Sequence, residues 1–199
     1  MSEDKRMAKN YEITQSIRIG EKEIVLGMDE GSEHPYFCAY YEYNELFGQY
    51  VDCMVGNDYA EMLGIYAQRI KSESENLKVE RNSVTVPKEV ITAELCYPND
   101  YKKSIEGKVI VIRPEVLLPE YQTADRQLWL CTGGFGSYAN SRGTACYCTN
   151  LYSGKKCRWN RADVLGEMKV LPNWAKDRLL IILAQHTEKQ KSRDSKEVR

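Results

Sequence analysis

Ile17 and Ile19, then Ile24, Leu26 and Met28, recur at every second position on either side of Gly20-Glu21. That period of two predicts a β-hairpin closed by a short turn. The runs YFCAYYEYN and QYVDCMVG, joined through ELFG, are rich in aromatic and β-branched residues and predict two further strands. Asp58 with Glu61 three residues on is a capping box. It opens a helix whose apolar stripe is Tyr59, Met62, Leu63, Tyr66, Ala67 and Ile70. The polar stretch KSESENLKVERN fits either a continued helix or a linker.

Between Pro87 and Pro98 the pattern changes, and VTVPKEVITAELCYPND reads as a connector with one short helical turn. A second module follows. KVIVIR and QLWLC are short apolar runs suited to buried strands, and ACYCTNLYSGKKCRW is two strands around Ser153-Gly154. Pro172 suits the first turn of a last helix, with Ala175, Leu179, Ile182 and Leu183 on one face. TEKQKSRDSKEVR has almost nothing to bury and reads as a disordered tail. The expected class is α+β. An antiparallel sheet with a helix occupies 1–82, a connector 83–107, a small antiparallel sheet or barrel with a C-terminal helix 108–186, and the tail 187–199.

With 199 residues, 42% of them hydrophobic, the chain is long enough for a real core. Its mean hydropathy of -0.56 and the lack of an apolar run near 18 residues exclude a membrane-spanning helix. The N-terminus MSEDKRMAKN lacks the apolar stretch of a signal peptide, and the expected location is the cytosol. Seven cysteines spread over both halves then read as reduced thiols rather than a disulfide framework.

The net charge of -1 hides a division. Residues 1–80 carry 8 Lys/Arg against 16 Asp/Glu, and residues 81–199 carry 20 against 13. From Glu23 to Gln68 there is no cation, while Glu42, Glu45 and Asp52 are among nine carboxylates. Between Asp125 and Asp163 there is no acid, and Arg142, Lys155, Lys156, Arg158 and Arg161 supply five of the charges beyond Arg126. Two recognition surfaces of opposite sign are the sharper reading, and two solvated faces the plainer one. On the acidic side Glu42, Glu45 and Asp52 with Tyr41 and Tyr43 are the candidate contacts, able to enter a basic groove as nucleic acid does. On the basic side Arg142, Lys155, Lys156, Arg158 and Arg161, with Trp159 as a ring for stacking or for the core, are the candidates for nucleic acid or a partner.

Other chemistries find less support. TGGFGSYANSRG lacks the lysine of a phosphate-binding P-loop, and it leads into a strand rather than a helix that could hold a pyrophosphate. Gly133, Gly134 and Gly136 are better read as turn-formers. Cys131, Cys146, Cys148 and Cys157 are separated by fourteen, one and eight residues, which is not the paired-knuckle spacing of a closed zinc site. Ordinary buried thiols are the favoured reading. His34 and His186 fall in different modules and join no catalytic signature, and Glu42 with Glu45 is a pair without a motif. No catalytic, cofactor or metal residue is assigned, although an enzyme acting on a small substrate stays as a third reading.

The stretches YEITQSIRIGEKEIVLGMDE, PYFCAYYEYNELFGQY and DCMVGNDYAEML resemble small proteins of conjugative elements and phages of gut-commensal Firmicutes. The likeness extends through EGKVIVIRPEVLLPEY and QLWLCTGGFGSYANSRGTACYCTNLYSGKKCRWNRADVLGE, so that it covers about residues 10 to 185. The second module is similar to a block of larger mobile-element proteins, and the whole layout resembles an anti-CRISPR family that inhibits Cas9. The resemblance implies a protein that works by binding, against a host nuclease such as Cas9 with its guide RNA. Non-specific duplex DNA is a further expected partner, and a DNA-binding accessory of conjugative transfer is the alternative. It carries over no site residue.

Overall fold

The computed structural model describes residues 5–43 and 47–184. The fold is α+β, with two antiparallel sheets in two compact units that divide between Ser83 and Val84. The expected tail at 187–199 lies outside the described residues.

Unit 1 is a five-stranded meander, β1 (Met7–Ala8), β2 (Tyr11–Ile19), β3 (Lys22–Met28), β4 (Tyr36–Tyr43) and β5 (Gly48–Gly56), in sequence order. The alternation in β3 and β4 divides side chains between two faces. Ile24, Leu26 and Cys38 are buried beneath Met62 and Tyr66 of α1 (Tyr59–Ser83). Asp58 caps this helix, its Oδ1 accepting the amides of Ala60 at 2.7 Å and Glu61 at 3.1 Å. The polar stretch after Ile70 is helix, through to Ser83. It is tied to the sheet by Lys22 Nζ, which donates to Glu73 Oε1 at 2.9 Å. Tyr59 and Leu63 of the expected stripe are exposed, because the helix buries only a narrow line of residues.

The opposite face of the sheet has its own small core of Ala8, Val25, Phe37 and Ala39, rimmed by Tyr11, Ile13, Tyr41 and Tyr50. Arg6 closes it. The guanidinium lies 4.3 Å from the Tyr41 ring centroid and donates to both carboxylate oxygens of Glu23, at 2.6 and 3.1 Å.

Unit 2 contains β6 (Cys96–Pro98), β7 (Val109–Ile112), α2 (Ala124–Gln127), β8 (Leu128–Gly133), β9 (Ala145–Asn150), β10 (Lys156–Asn160) and β11 (Val164–Met168). The order across its antiparallel sheet is β10-β9-β8-β7-β11-β6. A third helix, α3, covers 173–184. One sheet face packs Val109, Val111, Leu128, Leu130 and Leu151 with Ala175 and Ile182 of α3. The other face packs Ile110, Ile112, Trp129, Cys131, Cys146, Cys148 and Val164.

The expected connector is not a loose segment, since it contributes β6, buried Ile91 and buried Ile105 to unit 2. Gln127 anchors it from inside the core: its Oε1 accepts Ile91 N at 2.7 Å, and its Nε2 donates to Ile91 O and Ile112 O. A buried amide that finds all these partners offsets its desolvation.

Arg161 is the principal correction to the sequence reading. Placed there on a basic surface, it is only 2% exposed. Its guanidinium donates to Asn99 Oδ1 at 2.9 Å and to the carbonyls of Asp100, Lys103, Gly136 and Ser137 at 3.0 to 3.4 Å, and it lies 5.3 Å from the Tyr101 ring. Those oxygens belong to loops, so one side chain holds several loops to the sheet. Arg161→Lys keeps the charge but removes the planar fork and leaves carbonyls unsatisfied. The expected cost is about 3 kcal/mol. All three tryptophans, Trp129, Trp159 and Trp174, lie in unit 2, so tryptophan fluorescence during urea denaturation reports this destabilisation. An unchanged midpoint and slope would refute it.

Unit 1 offers a pH test. Arg6, as donor, holds the Glu23 carboxyl below its ordinary value of 4.5, against the opposing effect of burial. The pair's contribution is therefore complete above about pH 4.5 and is lost as pH falls through the lowered folded value. Because Arg6 is partly exposed, the gain is about 0.5 kcal/mol after solvent screening. Glu23→Gln should flatten the acid limb of stability measured by circular dichroism, and an unaltered acid limb would count against this pair.

Candidate binding surfaces

The far end of β4 and β5 carries the acidic candidates. Glu42 pairs with Gln49 and Tyr43 with Gly48, and both Glu42 and Tyr43 are exposed, Tyr43 by 73%. Asp52 is exposed at a register shift of β5 and takes a left-handed backbone, φ 51°. Its carbonyl accepts Arg69 Nη2 at 2.6 Å, which brings a cation of α1 to the acidic stretch. Arg69 also lies over Tyr40 at 4.8 Å. Tyr41 is engaged within the unit beneath Arg6, and its ring leaves no room for a side chain at Gly48. It is not a free contact. Glu45 lies outside the described residues. Of the acidic-side candidates, Glu42, Tyr43 and Asp52 are the ones that folding leaves exposed.

On unit 2 the β9–β10 ladder decides which cations face solvent. Cys146 and Cys148 point into the core, so Tyr147 between them points out, 56% exposed. Its register partner is Arg158, and Thr149 is paired with Lys156. Lys156 and Arg158 are both exposed and stand on the same face as Tyr147. Lys155 is exposed in the turn before them, and Arg142 is placed in the loop ahead of β9, also exposed. Among the described residues Arg142, Lys156 and Arg158 make no ion pair. Trp159 faces inward, packed edge-on against Trp129 with ring centroids 5.4 Å apart, so its part as an exposed stacking ring is withdrawn along with that of Arg161.

Two exposed rings stand outside the candidates named from the sequence. Tyr147 is legible from the alternation ACYCTN once the inward cysteines are taken as the guide to its neighbours. Phe135 has no such signal. It is 76% exposed on the turn Phe135–Ser137, which is pressed against β9. A Cβ at Gly134, where φ is 100°, would strike the Ala145 carbonyl, and one at Gly136 would strike that of Thr144. The glycines thus allow backbone to lie on backbone, and the turn they form presents the Phe135 ring to solvent.

The arrangement presents cations and flat rings together, the chemistry that meets phosphates and bases. A separate depression of about 590 Å³ beside Tyr97, Asp100, Lys103 and Lys108 is less suited to an anion, because Glu167 pairs with Lys108 at 3.1 Å on its wall. Among the described residues no grouping of His, Cys, Asp or Glu has the geometry to hold a metal ion. No family model, no curated protein and no solved structure matches this chain, so the likeness to mobile-element proteins rests on the quoted sequence motifs.

Proposed function

We propose that the protein acts by binding, as an inhibitor of a guide-RNA nuclease of the Cas9 type, with unit 2 contacting nucleic acid. The observation that carries the nucleic-acid part is the outward face of β9–β10, where Arg158 stands opposite Tyr147 beside Lys156. The field of such a face favours a polyanion, and the ring offers stacking that tolerates any base. The exposed Glu42, Tyr43 and Asp52 of unit 1 suit the cationic groove of a protein that itself holds nucleic acid. The nuclease as target comes from the sequence resemblance. The same β9–β10 face favours one second reading, a DNA-binding accessory of conjugative transfer.

Size-exclusion chromatography with and without Cas9 and guide RNA separates the two. Co-elution that is weakened at least tenfold in affinity by Glu42→Lys with Asp52→Lys, in protein that keeps its fold by circular dichroism, supports inhibition. Absence of co-elution, together with DNA binding that survives those changes, favours the accessory reading. For the basic face, Lys156→Ala with Arg158→Ala should lower the dependence of log affinity on log salt by about 1.8 on duplex DNA, at roughly 0.9 for each phosphate no longer neutralised. An unchanged slope would remove these two residues from the interface.

A further inference from the structure

Four of the seven cysteines share one face of three adjacent strands. Cys131 of β8 is the register partner of Cys148 of β9, Cys148 is the partner of Cys157 of β10, and Cys146 lies two residues along β9 from Cys148. Backbone hydrogen bonding determines how closely the first pair approaches. Cys131 N donates to Lys108 O at 3.0 Å, and Cys131 O accepts from Gly107 N at 2.8 Å. Both polar backbone groups of Cys131 thus point to the β7 side, away from β9. Cys131 and Cys148 consequently form a non-hydrogen-bonded pair, the closely spaced kind, with Cα atoms about 4.5 Å apart. Disulfides span that separation.

Their side chains point the same way, into the core with Ile110 and Trp129, at 0% and 2% exposure. The neighbouring thiols of Cys146 and Cys148 hold the Cys131 thiol below its ordinary range against the effect of burial, and the nearby Arg161 charge adds to this. Hydrogen bonding to Cys131 and burial push Cys146 and Cys148 up. Cys157 is the least buried of the four.

We propose that Cys131 and Cys148 are a redox modification site, forming a cross-strand disulfide when the chain meets a low-molecular-weight disulfide. The Cys157 thiolate attacks that oxidant, forming a mixed disulfide and releasing one thiol. Cys148 displaces the second thiol to give Cys148–Cys157, and Cys131 then attacks Cys148 and frees Cys157. Two protein thiols are oxidised and one external disulfide is reduced to two thiols, with the two protons passing to the leaving sulfurs. The bond fastens β8 to β9 at the foot of the Gly133–Gly136 loop, which carries Phe135.

The test uses the full native chain with oxidised glutathione, acid quenching, iodoacetamide labelling and peptide mapping by mass spectrometry. The expected product has lost the mass of two hydrogens and two of its seven alkylatable thiols, and it yields a Cys131–Cys148 cross-linked peptide. Its urea midpoint by tryptophan fluorescence moves upward. Cys53→Ser and Cys146→Ser retain the cross-link, whereas Cys157→Ser slows its formation severalfold. Seven surviving thiols, a lasting glutathione adduct, or a cross-link mapped to Cys148–Cys157 in the wild-type chain would each overturn the assignment. The wild-type map decides the matter even if Cys131→Ser or Cys148→Ser does not fold.

Discussion

A guanidinium that has left water must be given acceptors, and Arg161 finds them in Asn99, Asp100, Lys103, Gly136 and Ser137 without facing a carboxylate. Desolvating that charge is costly, so the acceptors have to be held in place at the moment the side chain is buried. The constraint works in both directions. Asn99 accepts from Arg161 through Oδ1 while its Nδ2 donates to the Arg161 carbonyl at 3.0 Å, and Arg161 N donates to Thr144 O at 2.7 Å. Backbone and side chain of one residue therefore fix the loops before β7 and after β8 against the start of β9. The turn that carries Phe135 is held by the same side chain, since Gly136 supplies one of the carbonyls.

This is also where the sequence misleads. RWNR reads as two cations flanking an indole, but they lie three positions apart and so on opposite faces of the strand, Arg158 outward and Arg161 on the inward side with Trp159. After Asn160 the strand ends in a single turn, Arg161–Asp163, capped by reciprocal bonds between Asn160 and Asp163. Arg161 has the parity of Trp159, so the period of two that exposes Arg158 carries Arg161 inward, and the turn holds it there. Nothing in composition distinguishes an arginine that solvates a surface from one that organises loops, because the difference lies in oxygens that belong to distant parts of the chain, Asn99 to Lys103 on one side and Gly136 with Ser137 on the other.

The more regular elements are legible for the opposite reason. The hairpin around Gly20, the strands of unit 1 and the helix opened by Asp58 are specified by neighbours in sequence: a turn glycine with φ 58°, alternation, and a cap. β6 and β11 leave no such trace. Each is short, and they pair with each other across most of unit 2, so neither shows a hydrophobic period of its own. The charge segregation is legible as a pattern but omits the cations that fold onto it. Arg6 and Arg69 lie outside the cation-free interval in sequence, yet folding returns them to Glu23, Tyr41 and Asp52.

Folding thus acts differently on the two charged stretches. In unit 1 it brings Arg6 and Arg69 to the acidic interval and uses tyrosines as their platforms, while Glu30, Glu33, Glu42, Asp52, Asp58 and Glu61 stay exposed. In unit 2 it removes Arg161 and Trp159 inward and leaves Arg142, Lys156 and Arg158 on the surface together with rings that the sequence does not single out, Tyr147 and Phe135. The same alternation that exposes Tyr147 forces Cys146 and Cys148 to the core face. The outward surface and the inward thiols of β9 are two sides of one strand register, so a slip of a single residue would exchange them. The binding proposed for the outer face and the thiol chemistry proposed for the inner face therefore share one determinant, the register of β8, β9 and β10.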